Sequence, residues 1–173
     1  ILNTPDANAT TTAELAVAHM FSLSRNLPKA DKSVRSGLWE RNNFLGIELT
    51  GKTVGVIGFG TIGRLFAEKC IGLGMNILGF DPFVTEETFK GYNIRKVSLD
   101  SLLAESDYIS LHCPVTDDTK NIISSEKIKL IKEGAHIINC ARGGLIDETA
   151  LLEAVENGHL AGAALDVFED EPP

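Results

Sequence analysis

Three groups of residues in this chain have types and spacing suited to chemistry. The first is Gly58-x-Gly60-x-x-Gly63, which follows the short apolar run Thr53–Ile57 and opens a stretch of helical period. The second is Asp81, eighteen residues beyond Gly63, at the end of a second apolar run, Asn76–Phe80. The third is the turn Cys140-Ala141-Arg142-Gly143-Gly144. The first two together have the pattern that holds a dinucleotide. Gly58 allows a tight turn out of a strand, Gly60 lets backbone approach a pyrophosphate, and Gly63 lets helix and strand pack closely. The helix that follows offers unpaired N–H groups and a positive dipole end to the phosphates. Asp81 can accept hydrogen bonds from ribose hydroxyls. The alternative, a plain strand-turn-helix junction, leaves the glycine spacing and Asp81 as coincidences. Arg142 presents a planar fork suited to a carboxylate or carbonyl. It suits equally well a structural ion pair with Asp147 or Glu148.

These residues need a scaffold, and the pattern of the chain describes one. Strand-like runs fall at Thr53–Gly58, Asn76–Phe80, Ile94–Val97, Asp107–Leu111, Ala135–Cys140 and Ala161–Asp166, with helical stretches between most of them. Apolar, non-alternating strands separated by helices predict a parallel sheet covered on both faces. The fold class is therefore α/β, a doubly wound (Rossmann) sheet, with ligands beyond the carboxyl ends of the strands. That rule gathers His112-Cys113-Pro114, the Cys140–Gly144 turn and Asp166 into one crevice. Ser98 or Asp100, Ser124 or Ser125, and Asp147 are expected helix starts, and Gly158 a helix stop. The helical state of Thr85–Gly91 stays open. Ile62, Leu65, Phe66 and Leu73 should share the buried face of the helix after the glycines.

Upstream, Thr11-Thr12-Ala13-Glu14 reads as a capping box with Thr11 as N-cap. The helix that follows is apolar around most of its circumference, as a core helix or one that also meets a partner subunit would be. Pro28 should end it, and a polar helix from Lys29 to Ser36 should break at Gly37. Trp39 sits in a charged stretch, where it can anchor a subunit contact or cap the core.

Bulk properties narrow the function. At 173 residues the chain fits one domain with a sizeable core. A formal charge of −8 and the absence of a Lys/Arg stripe argue against a nucleic-acid partner. No apolar run is long enough to span a membrane, and none reads as a signal peptide. Cys70, Cys113 and Cys140 have no metal-like spacing and read as buried free thiols, which suits a cytoplasmic compartment. No metal is expected. Of the four histidines, His19 lies in the apolar helix, His136 in a strand and His159 after a helix cap, so only His112 sits where it could act. The chain opens without Met and stops at Pro172-Pro173, and both ends are expected to be cuts around an excised domain.

Three ordered segments, G-K-T-V-G-V-I-G-F-G-T-I-G, N-C-A-R-G-G-L-I-D-E and A-G-A-A-L-D-V-F-E-D-E-P-P, together resemble the nucleotide-binding domain of the D-isomer-specific 2-hydroxyacid dehydrogenases. The resemblance covers essentially the whole chain. It implies NAD as cofactor, with the pyrophosphate against Thr61 and Ile62, Asp81 on the ribose, and Cys113, Pro114 and Cys140–Arg142 lining the site. Asp166 would meet the carboxamide. Arg142 would hold the substrate, and Glu171 would pair with the catalytic histidine. That histidine lies beyond the E-P-P segment in the family. The resemblance therefore implies a module, residues 1–173, with an N-terminal helical and dimerising segment (1–50) and a Rossmann core (51–173). It would bind NAD(H) without turning over, dimerise through residues near 10–45, and depend on a separate substrate domain. Within the family the likeness favours 3-phosphoglycerate, oxidised to 3-phosphohydroxypyruvate for serine synthesis. Glyoxylate/hydroxypyruvate or D-lactate reduction, an NAD-sensing corepressor-like scaffold, and S-adenosylmethionine as ligand are the alternatives; the last leaves C-A-R-G-G unexplained. NAD is expected over NADP. A 2′-phosphate about 4 Å from the Asp81 carboxylate would be repelled by roughly 4 kcal/mol at a surface-like dielectric, and Pro82 and Phe83 supply no cation.

Overall fold

The structure, a computed structural model, describes residues 8–173. The first seven residues of the expected 1–173 domain lie outside it. In chain order the elements are α1 (Ala9–Arg25), α2 (Leu27–Arg35), a 3-10 turn (Arg41–Phe44), β1 (Thr53–Ile57), α3 (Thr61–Gly72), β2 (Asn76–Phe80), α4 (Glu86–Gly91), β3 (Arg95–Lys96), α5 (Leu99–Glu105), β4 (Tyr108–Leu111), α6 (Ser125–Ile128), β5 (His136–Asn139), α7 (Glu148–Glu156) and β6 (Gly162–Leu165). The six strands form one parallel sheet in the order β3-β2-β1-β4-β5-β6. The order reverses between β1 and β4, so a crevice opens beyond their carboxyl ends. This is the expected doubly wound α/β fold.

Alternation along the strands divides the core between two faces. Val54 and Val56 of β1 and Tyr108 of β4 join Ala13, Ala16 and Met20 of α1 and Phe66 of α3. Ile57, Ile109, Leu111 and Ile137 face Leu102 and Leu103 of α5 and Leu151 of α7. Burying apolar side chains on both faces is what makes these strands apolar without alternation. Ser98, Ser124, Thr85 and Asp147 each cap a helix through a side-chain oxygen, and Gly158 takes the left-handed conformation after α7.

Several local expectations need correction. Helix α1 starts at Ala9, after Asn8, so Thr11 lies inside it and is not the N-cap. Burial of Ala9 and Ala13 carries the helix upstream, and Glu14 pairs with Lys69 of α3 at 3.2 Å rather than closing a capping box. Asn26 ends α1, at φ 53°, and Pro28 falls in the first turn of α2, where its missing N–H costs nothing. The fully buried residues of α1 (Ala9, Ala13, Ala16, Met20 and Ser24) form one stripe, not several faces. On α3 the fully buried set is Gly63, Phe66, Ala67 and Cys70, with Ile62 and Leu65 half-buried beside it. Strand β3 has only two residues. Thr85–Gly91 does form a capped helix, whose Phe89 fills the space over Gly79. Trp39 is 79% exposed and caps no core. No helix among the described residues is long and apolar enough to cross a membrane.

Candidate NAD-binding site

The floor of the crevice is the turn between β1 and α3. Gly58 has φ 91°, and a Cβ there would stand 2.8 Å from the backbone of His112 and Cys113. A side chain at Gly63 would overlap the Gly58 carbonyl oxygen, so α3 packs onto β1 only because position 63 has none. A Cβ on Gly60 would meet no protein atom, which leaves the approach to the α3 N-terminus clear. Gly58 and Gly63 therefore meet the geometric demands their spacing implied.

Asp81 is fixed from two sides. Its Oδ2 accepts from the Phe59 N–H at 2.8 Å and its Oδ1 from the Phe83 N–H at 2.9 Å. Phe59 is buried, stacked on Phe89 at 4.3 Å and edge-on to Tyr92. Arg64 Nε donates to the Phe59 carbonyl at 3.0 Å. The carboxylate thus stands at the rim of a cavity of about 580 Å³, lined by Ile57, Gly58, Gly60, Phe80, Pro82 and Phe83 and, opposite, by Pro114, Thr116, Thr119 and Ile122. Thr119 Oγ1 donates to the Pro114 carbonyl at 2.6 Å and accepts from the Thr116 N–H at 2.7 Å, which stiffens that wall.

A second cavity of about 440 Å³ shares His112, Cys113 and Pro114 with the first. Ile62, Cys140, Ala141, Arg142 and Asp166 complete it, with Thr12 and Leu15 of α1. The structure thus brings together Gly58, Gly60, Ile62, Asp81, Cys113, Pro114, Cys140, Ala141, Arg142 and Asp166. Thr61 is exposed at the start of α3. Glu171 lies outside both cavities, exposed, its Oε1 accepting from the Phe168 N–H at 3.1 Å. Burial pushes the Cys140 thiol up to about 12 and the Cys113 thiol up to about 11, so both stay protonated. Cys113 is half-buried, not buried as expected.

Arg142 is exposed and makes no ion pair among the described residues. Asp147 is occupied capping α7, and Glu148 Oε1 accepts from the Glu169 N–H at 2.7 Å. Neither carboxylate pairs with Arg142 in this structure, and among the described residues the guanidinium donates only to the Ala141 carbonyl, at 2.6 Å. A residue that sequence reasoning passed over sets this turn. Asn139, buried at the end of β5, accepts from the Ala141 N–H at 3.0 Å and donates to the Arg142 carbonyl at 2.9 Å. An amide closing the apolar run H-I-I-N was the available signal.

The glycine turn, the fixed carboxylate and the paired cavities fit a dinucleotide. Residues 17–173 match the D-isomer specific 2-hydroxyacid dehydrogenase, NAD binding domain, family. The chain belongs to that family. It is 47% identical to D-3-phosphoglycerate dehydrogenases of Archaeoglobus fulgidus and Bacillus subtilis over its full length. It spans 33% of each, about one third of the length of these curated relatives. Among solved structures, a glyoxylate reductase from Paecilomyes thermophila matches with a TM-score of 0.92 at 37% identity, covering 98% of this chain and 52% of that one. The pyruvate reductase of Chlamydomonas reinhardtii matches with a TM-score of 0.90 at 40% identity, covering 94% and 48%.

Proposed function

We propose that this chain is the cofactor module of an NAD-dependent dehydrogenase that oxidises 3-phosphoglycerate, and that NAD lies across the two cavities. The observation that carries this reading is the Asp81 carboxylate, held by two amides at the rim of an apolar cavity floored by the glycine turn. Adenine occupies the apolar half, the ribose hydroxyls donate to Asp81, and the phosphates face Gly60, Thr61 and Ile62. Asp166 accepts from the carboxamide in the second half, lined by Cys113, Pro114, Cys140 and Ala141. When bound, the nicotinamide supplies the hydride acceptor. Arg142, free of any ion pair among the described residues, grips the substrate carboxylate, and Glu171 pairs with an acid/base histidine from the part of the enzyme that the relatives carry beyond this span. The 47% identity to relatives named for 3-phosphoglycerate supports that substrate, and the structural likeness to the glyoxylate reductase supports a short 2-oxo acid reductase as the second reading. Calorimetric titration with NAD⁺ and NADP⁺ beside Asp81→Ala tests the cofactor assignment. NAD⁺ preference that the substitution abolishes is expected, and equal affinities would overturn it.

A homodimer through residues near 10–45 belongs to the same proposal. Leu27, Val34, Leu38, Trp39 and Leu45 are each more than half exposed, a density of apolar surface that marks an interface. Sedimentation of Trp39→Ala should show monomer where the parent shows dimer. Three unbridged thiols support a reducing compartment.

A further inference from the structure

The proposed NAD site leaves one buried polar side chain unused. His112 follows β4 on the face covered by α1 and α3, and its ring packs on Phe66 of α3 with centroids 4.9 Å apart. It lines both cavities, and so stands at the waist between them. Its Nε2 lies 2.9 Å from Ser110 Oγ, whereas its Nδ1 is buried without a partner among the described residues.

Donor counting decides the tautomer. Ser110 is fully buried, and its hydroxyl has no partner other than His112 among the described residues. If Nε2–H donated to Ser110, the serine proton and the bare Nδ1 would both be stranded in the core. If Ser110 donates to Nε2, every proton is placed except the one on Nδ1. The first arrangement strands a donor and a ring acceptor, the second a donor alone, and a spare hydroxyl lone pair costs little, so Nδ1 carries the hydrogen. Burial also pushes the imidazole down to about 3, so the ring is neutral at physiological pH.

We propose that His112 is a cofactor-binding residue whose Nδ1–H donates to a pyrophosphate oxygen of the bound dinucleotide, with Ser110 as the positioning residue that fixes the tautomer. The inference rests on the NAD reading above. A dinucleotide spanning two cavities puts its pyrophosphate at their waist, where His112 stands beneath the helix that receives the phosphates. Phosphate oxygens only accept, which matches a lone donor. A neutral donor adds this bond without burying a second charge.

The test uses this chain with NAD⁺, ADP and adenosine as probes. Proton–nitrogen NMR of the His112 ring should show Nδ1 protonated in the free protein and its resonance shifted by NAD⁺. His112→Leu should weaken NAD⁺ and ADP by about tenfold, as expected for a lost bond to a charged group, and leave adenosine unchanged. The ligand-free Leu variant exchanges one orphaned donor, Nδ1–H, for another, the Ser110 hydroxyl, so its melting temperature should stay close to the parent's. His112→Asn, whose amide nitrogen can take the Nδ1 position, should recover most of the affinity. A ring resonance unmoved by saturating NAD⁺, or a Leu variant that binds NAD⁺ like the parent, would overturn the proposal. Failure of the parent itself to bind NAD⁺ would overturn the cofactor reading and this inference with it. If the Leu variant does not fold, the parent NMR experiment and the Asn variant still decide.

Discussion

The two halves of the crevice are built on opposite plans. In the proposed adenosine half the lining is held by the chain itself: Asp81 by two amides, Phe59 by Phe89 and Tyr92, and the Thr116–Thr119 wall by its own hydroxyl. In the proposed nicotinamide half Arg142 and Asp166 are exposed, and among the described residues the Arg142 side chain hydrogen-bonds only the neighbouring Ala141 carbonyl. A preorganised half spends little on ordering when ligand arrives and so supplies affinity. A half left open can receive groups from elsewhere and supplies chemistry.

Substitutions can break that contrast. The largest effect is expected from Gly63→Ala, which forces α3 away from β1. Overpacking of this kind costs about 3 kcal/mol at the upper end, so thermal unfolding should drop and calorimetry should show NAD⁺ and ADP both lost. Asp81→Ala should be next. The ribose contact to a carboxylate contributes about 1.5–3 kcal/mol, so NAD⁺ affinity should fall at least about tenfold, and the two lost amide bonds should lower the stability of the turn. Hydrogen exchange at the Phe59 amide should quicken even in the ligand-free protein; an unchanged rate would mean the carboxylate only reads the ribose. The waist between the halves carries a pH signature. His112 is lowered from the usual imidazole range to about 3 in the fold, so below pH 6.5 the unfolded chain binds the extra proton and stability falls as pH drops towards 3. Urea titrations at pH 7 and pH 5 should show that loss, and it should shrink in His112→Leu. The smallest effect sharpens the contrast. Arg142→Gln should leave ADP affinity within about twofold, since surface changes away from a contact are near neutral. A large loss there would mean the two halves are not separable.

The sequence made the adenosine half readable because its demands are local. Glycine spacing, strand ends and an acid at a fixed offset each follow from backbone geometry within one β-α-β unit. The sheet was readable for the same reason, as all six strands fall within the expected runs. The remainder depended on tertiary contacts. The start of α1 moved because Ala9 and Ala13 are buried, and Pro28 changed from terminator to initiator because Asn26 adopts the left-handed turn. Asn139 signalled itself only as an amide closing an apolar run, and Glu148 not at all, since their partners are backbone groups whose placement the folded loops decide. The resemblance gave Glu171 a role, yet its carboxylate here is turned to the Phe168 amide, where local geometry holds it.

The double grip on Asp81 also constrains how this lineage can change. Accommodating a 2′-phosphate at this ribose calls for replacing the acid at the end of the second strand. Here that replacement would also remove the acceptor for the Phe59 amide and loosen the turn proposed to carry the phosphates. A descendant adopting the phosphorylated cofactor would have to rebuild two loops at once, so single steps in that direction are losses. The hydrogen bond that shapes the turn thereby acts as a ratchet on evolutionary choice.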